Sequence, residues 1–228
     1  MTVAGRAYAP VAPRDDAMRS FYPVGNAFER ALASLRHEGV RTFAWKVASV
    51  LGYRRLVRLE RMLDEPIPEA TPTLPVKAEL LGADQIGDYV AARPEANRDE
   101  IANRLASGRR CFVLRHQGRI ASVCWATTMS CPSPYLRRDV ILAVGDVYFT
   151  DAWTDPALRG RALAHALCLE QLRHFRDLGF RRALRGTVPE NPSALRAHAK
   201  SGFRPTALLV SLRIGRWQRD FDRAWTGR

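Results

Sequence analysis

Lysine is nearly absent from this sequence. It occurs only at Lys46, Lys77 and Lys200, so arginine supplies almost all of the 36 basic residues. Cysteine is scarce as well. Cys111, Cys124, Cys131 and Cys168 form no CxxC pair and no paired metal spacing, which argues against a disulfide framework and for small, reduced core thiols. The histidines offer no metal face: His165 and His174 stand nine residues apart on one expected helix, and His37 and His116 sit near turns. No metal is expected. No apolar run reaches the length of a membrane span. The first 19 residues lack the apolar core of a secretory signal, and the expectation is a cytoplasmic protein. There is no internal repeat and no low-complexity tract.

What is present is the composition of a globular domain. The chain has 228 residues, 46% hydrophobic and 26% charged, enough to bury a core without disulfides. Its net charge is +13. Nucleic acid, an anionic membrane surface or a small polyanion could each balance that charge, and the charge alone does not choose among them.

Along the chain, residues 1–25 are rich in Pro, Gly and Ala without a period and read as a flexible arm. Residues 26–63 read as a helical segment. Ala27, Phe28, Ala31, Leu32 and Leu35 recur at helical spacing before Gly39, and Val40, Phe43, Ala44, Val47, Val50 and Leu51 follow. A basic stretch from Tyr53 to Leu63 completes the segment. Residues 64–75 carry Pro66, Pro68, Pro72 and Pro75 and read as a linker. Residues 76–215 alternate strand and helix: strands near 76–81, 111–114, 120–127, 140–153, 183–188 and 207–214, helices near 83–92, 95–107, 161–178 and 193–201. Residues 130–139 read as a loop. Residues 216–228 form a basic, aromatic tail, where Trp217, Phe221 and Trp225 suggest a short helix packed on the domain, with membrane contact as the alternative.

The informative stretch is Thr154-Asp155-Pro156-Ala157-Leu158-Arg159-Gly160-Arg161-Ala162-Leu163-Ala164, between an expected strand and an expected helix. Small residues at 160, 162 and 164 let the backbone turn tightly. The free N–H groups at the helix start then make an anion site, to which Arg159 and Arg161 add charge. A pyrophosphate suits such a site, although many phosphate-binding folds share the pattern.

Here the residues carry a resemblance. Arg159, Ala162 and Ala164 fall on the positions of the Arg/Gln-x-x-Gly-x-Gly/Ala loop of the GNAT superfamily of N-acetyltransferases. An independent second segment, Asn191-x-x-Ala194 with Gly202-Phe203, is similar to the family's Asn-x-x-Ala-x-x-x-Tyr-x-x-x-Gly-Phe. Two departures stand out. Ala162 replaces the middle glycine, which is expected to require a negative φ there. His198 occupies the position at which the family often has a tyrosine.

The resemblance implies an α/β (α+β) fold: a mixed, mostly antiparallel sheet flanked by helices and splayed at the Thr154 strand, behind an N-terminal helical extension. It implies acetyl-CoA or another acyl-CoA as donor. The strand end Ala152-Trp153-Thr154 would face the pantetheine arm and the thioester. Residues Arg159, Gly160, Arg161, Ala162, Leu163 and Ala164 would cradle the pyrophosphate, and Asn191 would lie beside the arm. His198 would inherit the tyrosine's role of protonating the departing thiolate, which an imidazolium can do; packing or facing solvent is the alternative. Asp151 is the first candidate base and Glu190 the second, and Tyr148 is a candidate lining residue of the acceptor cleft. Asp151 could equally cap a turn or pair with an arginine, and Glu190 could be a solvated charge.

The expected reaction is direct attack on the thioester in a ternary complex, because no Ser or Cys sits in a nucleophile motif. Acceptors in view are small molecules, sugars and peptides. The competing readings are a long-chain acyl donor and a degenerate nucleic-acid-binding module. The N-terminal helices admit two readings, packing on the domain or on a second subunit as a homodimer, and contact with an anionic membrane surface.

Overall fold

The computed structural model describes Val40 and residues 43–226. The arm at 1–25 and the first expected helix lie outside the described residues. Residues 43–50 are helical. The fold is organised by one eight-stranded sheet. In chain order its elements are β1 (Tyr53–Met62), β2 (Lys77–Leu80), α1 (Ile86–Ala92), α2 (Arg98–Ala106), β3 (Arg110–His116), β4 (Arg119–Thr127), β5 (Cys131–Ser133), β6 (Arg138–Val140), β7 (Asp146–Thr154), α3 (Leu163–Asp177), β8 (Arg182–Thr187), α4 (Pro192–Lys200), β9 (Arg204–Ile214) and β10 (Trp217–Ala224). The sheet order is β10-β9-β1-β8-β7-β4-β3-β2. Only β7 and β8 run parallel; every other pairing is antiparallel. The expected α/β architecture with a mostly antiparallel sheet is therefore present.

Two segments differ from the sequence reading. The basic stretch from Tyr53 is a strand, and it lies in the interior of the sheet between β8 and β9. Val57 and Leu59 are fully buried on one face and Leu56 on the other, an alternation that suits a strand covered on both sides. The buried Arg61 is held by the carbonyls of Ser201 and Pro66. The tail is also a strand: β10 pairs with β9 from Trp217↔Ile214 to Ala224↔Ala207. Short local windows of Arg and Leu fit helix and strand alike, and pairing with distant strands decides.

The proline-rich stretch is not a free tether. Ile67 and Ala70 pack against the main core, and Arg173 on α3 donates to the Pro68 carbonyl at 2.8 Å. The stretch expected to be a loop at 130–139 contains the β5–β6 hairpin.

The sheet has two faces. One is covered by α3, whose Leu163, Leu167, Leu169, Leu172 and Phe175 meet Val57, Phe112, Val147, Phe149 and Ala183. Each such side chain contributes about 1.5–3 kcal/mol on burial. The other face is shared. Over β3 and β4 it is covered by α1 and α2 through Ile86, Tyr89 and Ile101. Near β1 and β9 it is covered by the β5–β6 hairpin through Leu136. Between these covers runs β7.

Candidate functional site

The parallel ladder of β7 and β8 is short. It runs from Asp146↔Arg182 to Phe149↔Arg185 and stops. Beyond Phe149, β7 keeps its partner β4 on one side, with pairs Trp125↔Thr150, Val123↔Trp153 and Ser122↔Thr154. Its other edge, 150–154, has no strand beside it. Backbone N–H and C=O groups on such an edge are open to a ligand.

The same stretch carries a β-bulge. The β4–β7 register shifts between Val123 and Trp125, and Asp151 takes a left-handed φ of 47°. The bulge re-aims the strand. Asp151 pins it: one carboxylate oxygen accepts from Arg93 at 3.0 Å, the other from Arg104 at 2.7 Å. Arg93 caps α1 and Arg104 lies on α2, so both helices are tied to the bulge. With both oxygens held by guanidinium groups, Asp151 is built as an anchor. Of its three sequence readings, arginine pairing is the one this geometry supports.

The expected pyrophosphate loop follows directly. Asp155 accepts from the Ala157 N–H at 2.9 Å and closes a short 3-10 turn, Pro156–Leu158. Gly160 takes φ 79°, with nothing within 4 Å of where a Cβ would stand. Ala162, the N-cap of α3, has φ 60° and ψ 13°, and no side chain caps the helix. This overturns the expected negative φ: the alanine adopts the glycine conformation, at about 1–2 kcal/mol of strain. Left-handed residues on either side of Arg161 form a turn of the kind that gathers successive N–H groups into an anion nest. With Leu163 and Ala164 they open an uncapped helix N-terminus. Arg159 and Arg161 are exposed beside it.

Asn191 is the N-cap of α4; its Oδ1 accepts from Ala194 N–H at 3.0 Å and from Ser193 Oγ at 2.7 Å. Gly202 takes φ 80°, and a Cβ there would collide with the Arg61 guanidinium. Phe203 is buried in the main core. The second motif is thus a helix that packs beside α3 and meets the last rung of the β7–β8 ladder through His198 and Arg185.

The remaining candidates divide. Glu190 is paired with Arg55 of β1, whose guanidinium stacks on Trp45 at 3.3 Å from the ring centroid, so it is not a solvated charge. Tyr148 faces away from α3, where its hydroxyl lies 3.0 Å from the Cβ that Gly186 lacks. Burial pushes its pKa up to about 12, which keeps the phenol neutral at ordinary pH. Trp153 lies at the rim of the cluster under α1 and α2, and its carbonyl accepts from Ser122 Oγ at 2.9 Å. Ala152 is exposed.

His198 corrects an expectation. Its Nδ1 lies 3.4 Å from Nη1 of Arg185. Burial, reinforced by that guanidinium, drops its pKa to about 3. At neutral pH it is an uncharged imidazole, so protonation of a thiolate by an imidazolium does not follow.

Three residues of the site escaped the sequence reading. Arg93 and Arg104 look like ordinary helix-surface charges. Arg185 left a signal: it interrupts the alternating inward row Ala183, Arg185, Thr187 of β8, all buried. Among the described residues no group of His, Cys, Asp and Glu could hold a metal. No described helix is long and apolar enough to cross a membrane.

Comparison with known proteins agrees with this fold. The model of the Acetyltransferase (GNAT) family matches residues 79–203. Among solved structures, the chain is similar to a putative GNAT acetyltransferase from Novosphingobium aromaticivorans (19% identity, 69% of this chain and 62% of that one, TM-score 0.50). It is also similar to a GCN5-related N-acetyltransferase from Sphaerobacter thermophilus (17% identity, 74% of this chain and 55% of that one, TM-score 0.51). The chain thus spans less than two thirds of the length of either structure. No curated protein matches.

Proposed function

This chain belongs to the acetyltransferase (GNAT) family, and we propose that it transfers an acyl group, acetyl first among them, from acyl-coenzyme A to an amine or hydroxyl acceptor. One observation carries the reading. The unpaired edge of β7 at 150–154 leads, through the 3-10 turn Pro156–Leu158 and the turn at Gly160–Ala162, into the uncapped N-terminus of α3. The pyrophosphate would bind the N–H groups around Ala162 to Ala164, with Arg159 and Arg161 beside it. The pantetheine arm would run back along the edge from Thr154 toward Thr150, with Asn191 at its flank. Its thioester would then reach the point where β7 and β8 part.

The acceptor would approach from the opposite face, over Tyr148, between α1–α2 and the β5–β6 hairpin. Its lone pair attacks the thioester carbon. A backbone N–H of the bulged β7 edge stabilises the oxyanion, and the Asp151 anchor fixes where that N–H points. The acceptor proton leaves through solvent, consistent with both oxygens of Asp151 being held. Small molecules, sugars and peptides remain the acceptor classes in view.

The test is binding, then turnover. Coenzyme A at 100 times its Kd should stabilise the protein by about 2.7 kcal/mol, read as a raised Tm. Arg159→Ala with Arg161→Ala should weaken it. A pooled screen of amines, sugars and peptides, with released coenzyme A as readout, should then identify the acceptor. No Tm shift with either coenzyme A or acetyl-CoA would sink the reading.

A further inference from the structure

Arg185 is a buried cation without a carboxylate. It is 6% exposed. Its Nη1 meets Cys168 Sγ at 3.4 Å and His198 Nδ1 at 3.4 Å, and its Nη2 meets Cys124 Sγ at 3.3 Å. The rings of Phe149 and Phe203 lie 5.8 Å from the guanidinium carbon. Among the described residues no acidic side chain forms an ion pair with it. Burial works against its charge, and the groups that face it are neutral: two thiols and an imidazole nitrogen. A guanidinium stays charged in proteins. Thiols and an imidazole nitrogen are weak substitutes for a carboxylate, and a buried charge so poorly paired is costly to keep.

Its place explains the cost. Arg185 is the last rung of the β7–β8 ladder, so it sits at the apex of the splay, where the proposed path of the pantetheine arm ends. The group that gains negative charge there is the sulphur of the donor. We propose that Arg185 supplies the fixed positive charge for the departing coenzyme A thiolate, and orients His198 to donate a hydrogen bond to the same sulphur. This rests on the acyl-CoA reading above.

In the step, the carbon–sulphur bond breaks and its electron pair stays on sulphur. The thiolate leaves as an anion beside the guanidinium and takes its proton from water on release. The acceptor's proton goes to solvent. His198 gives up no proton. Arg185 donates to Nδ1, which places the imidazole hydrogen on Nε2, the remaining nitrogen and the only one able to donate.

Coenzyme A itself is the probe. Titrated by the ultraviolet absorbance of its thiolate, bound coenzyme A should show at least about tenfold more thiolate at a given pH than free coenzyme A, as thiols beside a cation do. Arg185→Met should abolish the excess while still binding coenzyme A, since an apolar side chain of similar volume is tolerated where a buried charge was. Nitrogen NMR of His198 should report the Nε2–H tautomer in the parent and a mixed tautomer in the variant. Should the methionine variant not fold, Arg185→Lys decides: it keeps the charge and the thiolate excess but frees the tautomer. Binding with an unshifted thiol overturns the proposal alone. A preference for an acyl-CoA bearing a carboxylate, lost in Arg185→Met, also overturns it by assigning the charge to the acyl chain. No binding of coenzyme A overturns the acyl-CoA reading, and this proposal with it.

Discussion

Two non-glycine residues with left-handed backbones bracket the turn from β7 into α3, and they are held in opposite ways. Asp151, at φ 47°, is clamped by two arginines from α1 and α2. Ala162, at φ 60°, has no side-chain partner and caps a helix that nothing else caps. The first is strain kept by a buried polar network. The second is strain kept by the need for a tight turn at a helix start. At Asp151 the side chain matters and the backbone follows; at Ala162 the backbone matters and the side chain is only tolerated.

This contrast can be broken in order of expected effect. Asp151→Ala should be the most damaging, because it leaves Arg93 and Arg104, both largely buried, without their shared anion. A loss of about 3 kcal/mol or more is expected, read from the urea midpoint. Asp151→Asn should recover part of it, since asparagine tolerates the left-handed region; equal losses in the two variants would place the cost in the backbone instead.

Acidification should come next. His198 holds its neutral form in the fold, with a pKa near 3 against 6.5 for a free imidazole. The unfolded chain therefore binds the extra proton first, and the stability this contributes is complete above pH 6.5 and lost as pH falls toward 3. His198→Phe should flatten that part of the pH–stability curve. An unchanged slope would mean that other groups carry it.

Ala162→Gly should raise stability by about 1 kcal/mol by removing the Cβ penalty, the reverse in sign of Asp151→Ala. A lowered Tm would show that the alanine is not strained.

Glu190→Gln should be mildest. Its ion pair with Arg55 is partly exposed, worth about 1 kcal/mol or less. Acyl transfer should change by less than about tenfold. A general base would lose on the order of a hundredfold or more, and such a drop would return Glu190 to the chemistry.

The legible part of the site was its backbone. Arg159 to Ala164 and Asn191 to Phe203 were readable because a tight turn, an N-cap and a left-handed glycine each demand particular residues at fixed local spacing. Gly202 shows how far this goes, since its conformation and its closeness to Arg61 both exclude a side chain. The polar network was not legible. Arg93, Arg104 and Asp151 are scattered over α1, α2 and β7, and nothing local says that they meet.

By itself, then, the sequence determined the alternation of strands and helices after residue 76, the tight turn from Arg159 to Ala164 and the family it resembles, because these rest on local spacing and local conformation. Only the tertiary structure decided that Tyr53–Met62 enters the middle of the sheet, that the tail adds an edge strand, that Asp151 is an anchor, and that His198 is neutral beside a buried Arg185. Each of those depends on which distant groups burial brings together and on how far the surroundings exclude water, and neither quantity is written in any short stretch of the chain.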